Sequence, residues 1–182
     1  MTELPTFITG NENKVKYLRA WLGLELPHKK LDLDEIQSLD LEEVVTRKAR
    51  QAYDQIASPV LVEDVGVTFA ALGRLPGPFI KWFEDPGIPT LCRMLDGFND
   101  RRAEGRTIYA LYDGDNMHLF EGVMRGSIAK EPRGAGGFGF DPIFINEGQT
   151  LTRAEMDEAA YAATSYRVPA LAKLRDYLQQ SR

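Results

Sequence analysis

The segment Val60-Leu61-Val62-Glu63-Asp64 constrains the fold of this chain more than any other. Three consecutive apolar residues read as a short buried strand, and two adjacent acids at its end are costly to desolvate unless they are paired or bind a cation. Mg2+ favours carboxylate oxygens and keeps several of its waters, and one carboxylate of such a pair is also able to take a proton from an attacking water. Asp34 and Glu35, at the end of another predicted strand, are placed to complete the same site. Solvated acids in a turn are the alternative reading of the pair.

The elements around this segment alternate. Leu4 to Thr9 read as a strand, which runs through a Gly-Asn turn into a helix whose apolar face is Val15, Leu18 and Leu22, with Gly23 as its C-cap. HKKLDLDEIQ predicts an exposed strand ending in acids. The clearest helix follows, with Leu41, Val44, Val45, Ala49, Ala52 and Ile56 on one face, Asp40 as its cap and Pro59 past its end. Beyond the acid pair, VTFAALG reads as a short strand or bend, LPGPFIKWFED as a turn into a helix start, PTLCRMLDGF as a short helix, and DGFNDRRAEGR as a charged loop. TIYALYDGDNMHLFEGVMRGSIA predicts a hairpin around Asp-Gly-Asp. A glycine-dense loop then leads into the strand PIFI, and the tail RVPALAKLRDYLQQ places Val168, Leu171, Leu174 and Leu178 on one helical face. Helices and strands that alternate first, with a hairpin later and no linker or repeat, predict a single α/β domain over residues 1–182 with a mixed sheet.

Composition narrows the classes. Hydrophobic residues make up 43% and charged residues 27% of the 182, which suits a globular protein. The formal net charge is −5, which argues against a nucleic-acid coat or a binder of anionic membranes. No stretch approaches the ~18 apolar residues of a membrane helix. The N-terminus lacks the apolar core of a signal peptide, and the one cysteine, Cys92, is placed for packing rather than disulfide or metal chemistry. A cytoplasmic protein with no nucleic-acid or membrane partner is the expectation.

Two further segments carry chemistry. In TGNENK, residues 9–14, a glycine after a strand presents backbone N–H groups at a helix N-terminus, Asn11 is placed to cap, and Lys14 lies one turn in, within reach of a phosphate. The same residues also suit an ordinary strand-to-helix turn. In GAGGFGFDPIF, residues 134–144, glycines allow close approach to a flat ligand, Phe138 and Phe140 offer stacking faces, and Asp141 offers an acceptor; a core aromatic beside a flexible loop is the alternative. Trp21 and Trp82 read as core or interface residues, and Arg101 and Arg102 as a solvated loop face.

Together these segments resemble the inosine triphosphate pyrophosphatase family, whose members hydrolyse non-canonical purine nucleoside triphosphates to monophosphate and pyrophosphate. TGNENK is similar to the family's phosphate loop, LDLDEIQ to its acidic strand end, LVEDVGVTFAALGRLPGPFIKWF to its central block, PRGAGGFGFDPIF to its nucleobase loop, and TSYRVPALAKL to its final motif and helix. The resemblance implies an elongated two-lobed α/β fold, a central mixed sheet flanked by helices, a nucleotide cleft between the lobes, and a homodimer. It implies Asp64 as general base and Mg2+ ligand, Glu35 as the second ligand, and Glu63 in support. Thr9, Gly10, Asn11 and Lys14 would hold the triphosphate with Lys48 and Lys81, and Val65 would line the substrate. Phe138 would stack on the purine, Gly139, Phe140 and Asp141 would shape the pocket, and Arg167 would contact the base edge.

Two positions depart from the family's Lys-x-x-x-Ser-His-Arg block: Tyr161 stands at the lysine and Tyr166 at the histidine. Both belong to the nucleobase side, and a tyrosine there retains one hydroxyl donor. Loss of the lysine predicts weaker discrimination against 6-amino purines. The readings that compete with the house-cleaning reaction are the same hydrolysis of another nucleotide, a Maf-class enzyme, and a non-catalytic nucleotide-binding module. The Maf class lacks the PGPFIKWF and GFGFDPIF blocks, and the module would have lost Asp64, Glu35 or Lys14, all present here.

Overall fold

The computed structural model describes residues 4–83 and 87–180. They form two compact units, and the chain passes between them four times. The first takes in the described residues up to Asp64, Thr107–Gly122 and the described residues from Arg167; the second is Val65–Arg106 and Val123–Tyr166.

The elements are β1 (Thr6–Ile8), α1 (Glu12–Leu22), β2 (His28–Lys29), α2 (Leu41–Ile56), β3 (Val60–Phe69), β4 (Pro76–Gly77), α3 (Ile88–Arg93), β5 (Arg102–Tyr112), β6 (Met117–Ile128), β7 (Phe144–Asn146), α4 (Glu158–Ala163) and α5 (Arg167–Gln180), with 3-10 turns at Ala70–Leu72, Pro78–Phe83 and Arg153–Glu155. Strand order is β2-β1-β3-β5-β6-β7, with β4 paired to β3. β1 is parallel to β2 and β3, whereas β3–β4 and β6–β7 are antiparallel, so the sheet is mixed as expected. No helix among the described residues is long and apolar enough to cross a membrane.

In the first unit the two-residue period of the strands sorts side chains between two cores. Phe7 and Leu61 are register partners and join Val15, Leu18 and Leu22 of α1 and Ala170, Leu171, Leu174 and Leu178 of α5. Ile8, Val60 and Val62 point the other way and join Leu41, Val45, Ala49 and Ala52 of α2. Helices therefore cover both faces, which is why this strand is apolar at every position up to the acids. Truncating a fully buried member such as Leu18 to alanine removes about 2–5 kcal/mol of stability.

Local signals set these helices. Asn11 Oδ1 accepts from the N–H groups of Asn13 and Lys14 to start α1, and Gly23, at φ 63°, closes it. Asp40 caps α2 through the N–H groups of Glu42 and Glu43. The C-cap of α2 is Ala57, in the left-handed region at φ 49°.

The core of the second unit gathers Val67, Phe69, Ile80, Leu91, Cys92, Leu95, Met124, Ile143, Phe144 and Tyr166. Here the structure departs from the expectations in several places. β3 runs ten residues rather than ending at the acids, because Val67 and Phe69 continue the buried alternation past them. HKKLDLDEIQ is strand only at His28–Lys29; Leu31 and Leu33 pack on the α2 core from an irregular segment. PFIKWF, after β4, forms a 3-10 turn instead of an α-helix start, Trp82 is 65% exposed rather than core, and Glu84 and Asp85 lie outside the described residues. Arg101 is not a solvated loop residue. Its guanidinium donates to the carbonyls of Cys92, Ile128 and Ala129, at the ends of α3 and β6. Arg102 already belongs to β5 and remains exposed beside Asp100.

A non-glycine residue in the left-handed region is strained by roughly 1–2 kcal/mol, while glycine gives back roughly 0.5–1 kcal/mol in chain entropy. Ala57→Gly is therefore expected to raise stability by about 0.5–1 kcal/mol, measured as a higher urea midpoint at unchanged slope.

Candidate active site

At the end of the buried part of β3, alternation sends Glu63 and Asp64 to opposite sides. Glu63 is almost fully buried. Its Oε1 accepts from Arg167 Nε at 2.9 Å and from Thr107 Oγ1 at 3.2 Å, and its Oε2 lies 3.7 Å from Lys14 Nζ. Burial by itself raises the carboxyl pKa, but Arg167, then Lys14, and the hydrogen bonds from Arg167 and Thr107 outweigh it and hold the group below its ordinary value of 4.5. Glu63 is thus a buried, ionised organiser with three chain segments attached to it.

Asp64 meets the other cluster. Lys48 Nζ lies 2.7 Å from Asp64 Oδ2 and 2.8 Å from Glu35 Oε1, so one ammonium bridges two carboxylates. Lys48 comes from the middle of α2, whose apolar face fixes its direction. Asp34 does not join the pair; it is exposed, and its N–H donates to Gln51. Oxygen atoms of two carboxylates that converge on one cation centre form a hard donor pair suited to Mg2+, which takes one or two carboxylates and completes its shell with water and phosphate. No group of three or more His, Cys, Asp or Glu side chains with metal-binding geometry occurs among the described residues, so the protein offers a partial shell and not a cage.

Residues 9–14 form the expected capped turn from β1 into α1. Thr9 Oγ1 accepts from Asn11 N–H, Asn11 caps α1, and Lys14 Nζ also donates to the Glu63 carbonyl at 3.4 Å. Gly10 is not in a left-handed conformation, and a Cβ there would meet only the flexible Lys30 side chain. The turn uses this glycine for space rather than for its backbone freedom.

The second unit carries the aromatic residues. Asp141, expected to offer an acceptor, has its oxygens engaged by the protein: Arg153 Nε donates to Oδ1 at 2.9 Å, and Phe138 N–H and the Tyr161 hydroxyl donate to Oδ2, both at 2.9 Å. It ties the glycine-dense loop to α4. Phe138 is half-buried beside the exposed Gly139, whereas Phe140 is core and leaves no open stacking face. Tyr166 is likewise core, packed near Phe140. Gly134 has φ 80°, and a Cβ there would collide with the Ala154 backbone, so the loop fits this close approach only as glycine. Val65 packs on the same core, and Lys81 lies on the 3-10 turn Pro78–Phe83 with its ammonium 4.8 Å from the Trp82 ring.

Arg167, expected at a base edge, opens α5 in the first unit with its Nε on Glu63. Two residues escaped the sequence reading. Thr107 gave no signal, being one polar residue in an apolar strand. Arg153, with a fully buried side chain, is preceded by Thr152, whose capping box with Glu155 is visible as Thr-x-x-Glu and marks an ordered turn.

A sequence model of the Ham1 family matches residues 5–177, and the chain belongs to that family. Curated relatives include a protein named inosine triphosphate pyrophosphatase 2 from Trypanosoma cruzi, 43% identical over 175 residues that cover 93% of this chain and 89% of the relative. The inosine triphosphate pyrophosphatase of Pyricularia oryzae is 44% identical over 179 residues, covering 96% and 93%. Among solved structures, a HAM1 protein from Coxiella burnetii aligns with a TM-score of 0.85 at 30% identity, over 98% of this chain and 100% of that one.

Because the folded-state pKa of Glu63 is depressed, its stabilising contribution is complete above pH 4.5 and is lost as pH falls below that value. Arg167→Met removes the largest lowering influence, so the pKa of the buried carboxylate moves up from its wild-type position. The variant should lose about 3–5 kcal/mol at pH 7. Urea unfolding at pH 7 and pH 5 should show that deficit shrinking on the acid side.

Proposed function

We propose that this chain hydrolyses non-canonical purine nucleoside triphosphates (ITP, dITP and XTP) to the monophosphate and pyrophosphate, as one enzymatic domain spanning residues 1–182. The observation that carries the reading is the convergence of Asp64, Glu35 and Lys48 beside the capped turn Thr9–Lys14 in a chain of the Ham1 family. The relatives' names give the substrate class.

A triphosphate brings several negative charges, and an acidic chain must neutralise them locally. Lys14 and Lys48 supply positive charge, with Lys81 as a third donor, and the N–H groups of the α1 turn add partial positive charge. Glu35 and Asp64 would hold Mg2+, which would neutralise phosphate charge and order the oxygens around the scissile anhydride. Asp64 accepts the proton of the attacking water, the water oxygen bonds to phosphorus, and the anhydride bond between the α- and β-phosphates breaks to release pyrophosphate. Glu63 touches none of these atoms; held by Arg167 and Thr107, it fixes the strand end from which Asp64 projects. Phe138 and Gly139 are assigned to the base, with Tyr161 beside them.

Hydrolysis of a different nucleotide is the second reading, and one contact favours it. The Tyr161 proton is engaged with Asp141, so this hydroxyl does not replace a lysine as donor. The remaining assignments are a homodimer and a cytoplasmic location, consistent with the family resemblance and the charge balance. Light scattering of the purified protein checks the dimer against the 20.5 kDa of one chain.

The test is pyrophosphate release with Mg2+ from ITP, XTP, dITP, ATP, GTP and pyrimidine triphosphates. Release from ITP and XTP is expected to exceed that from ATP. Asp64→Asn is expected to lower kcat by about 10²–10⁴-fold, the range for loss of a general base, while the thermal midpoint stays within a few degrees. Undiminished turnover in that variant would remove Asp64 from the chemistry.

A further inference from the structure

Arg153 has no place in the reaction just described, yet it is the largest fully buried side chain among the described residues. Its Nε pairs with Asp141, and its Nη1 donates to Asn146 Oδ1 at 3.3 Å and to the carbonyl and hydroxyl of Thr164 at 3.2 and 3.3 Å. Its Nη2 is buried and has no hydrogen-bond partner. Three other buried side-chain atoms among the described residues share that condition, but each is itself in an ion pair: Arg19 Nε with Glu25, Arg133 Nε with Glu155, and Glu63 Oε2 with Lys14. The ion pair of Arg153 runs through Nε instead. A donor taken out of water and left unfilled is destabilising, and its retention calls for a partner that the chain does not supply.

Two tyrosine rings cover this guanidinium, that of Tyr161 and, 6.0 Å from its central carbon, that of Tyr166. The Tyr161 ring lies 4.2 Å from its central carbon, and Tyr161 belongs to α4, a six-residue helix with no buried residue. Moving Tyr161 aside breaks its hydrogen bond to Asp141 and its contact with the guanidinium, while Thr164 keeps the end of α4 tied to Arg153 Nη1. A short helix with no buried residue opens more readily than a core element. A planar base is chemically equivalent to the tyrosine ring as a stacking partner for guanidinium. The glycine-dense loop is tied to the same carboxylate through Phe138 N–H, so loop, tyrosine and arginine meet at Asp141.

We propose that Arg153 is a specificity-determining residue whose Nη2 donates to the exocyclic keto oxygen of a 6-oxo purine. The inference rests on the pyrophosphohydrolase reading above. Guanidinium is a donor without acceptor capacity, so it bonds a 6-keto oxygen and faces a 6-amino group donor to donor. Tyr161 removes the lysine donor expected at its own position, and Arg153, beneath its ring, supplies an N–H donor from a neighbouring position. The chain then retains the discrimination that the two tyrosines, read alone, predict it has weakened.

Two measurements decide it. In Arg153→Met the ratio of kcat/KM for ITP over ATP should fall by about tenfold or more, through a raised KM for ITP. Arg153→Lys, which keeps the charge but has only one nitrogen to divide between Asp141 and the ligand, should fall between that variant and wild type. A merely structural arginine would lower both substrates alike, so a ratio within twofold of wild type in a folded variant overturns the proposal. Should neither variant fold, guanidinium ¹⁵N spectra of the wild-type protein take over. Saturating IMP should shift the Arg153 resonance and AMP should not; IMP bound with that resonance unmoved overturns the assignment. If wild-type protein releases pyrophosphate from no triphosphate, the reaction reading fails by itself, and the IMP titration still decides whether Arg153 reads a 6-keto group.

Discussion

Glu63 and Arg167 pair at 2.9 Å across 104 positions of sequence, both nearly sealed from solvent, and the first unit is organised around that contact. Thr107 reaches the same carboxylate oxygen from β5, and Lys14 approaches the other from α1. Three segments distant in the chain are thereby held to one acid. A buried ion pair of this kind is weak evidence of net stability, because desolvation of both charges offsets their attraction. Its consequence is geometric: neither partner is left buried with an uncompensated charge, so the strand end has one low-energy arrangement.

Asp64 inherits its position from that arrangement. Adjacent residues of a strand point to opposite sides, so fixing Glu63 inward leaves Asp64 to face Lys48 and Glu35. The two acids then do different work although they are identical in charge and neighbours in sequence. One is desolvated and surrounded by donors, and it holds structure. The other shares the Lys48 ammonium with a partly exposed glutamate.

Asp141 is the counterpart in the second unit. It accepts from a backbone N–H, a phenol and a guanidinium, and through them it fixes the glycine-dense loop, α4 and the 3-10 turn at Arg153–Glu155. Glycines at 134 and 137 adopt left-handed conformations there, which frees the backbone to follow the carboxylate instead of its own side chains. The loop is adaptable in composition and held in place by one side chain.

Helices α1, α2 and α5 were legible in the sequence because their determinants are local: Asn11 and Asp40 at the caps, and apolar residues at a 3.6 period. The cost of two adjacent acids after an apolar strand was equally legible, as were the phosphate loop and the family, since each rests on residue types at short spacing. The misreadings have a common origin. Arg101 and the start of β5 looked like a charged loop, because an arginine that satisfies three carbonyls has the same letter as one in water. Phe140 and Phe138 looked alike, and packing made one core and left the other half-buried. Likewise the sequence by itself determined that an acid pair, a capped strand-to-helix turn and an aromatic glycine loop would exist. Only the tertiary structure decided which acid is sealed with Arg167, which faces Lys48, and that Arg153 lies beneath Tyr161. Those outcomes depend on contacts between residues far apart in the chain, and no local pattern encodes which distant partner will arrive.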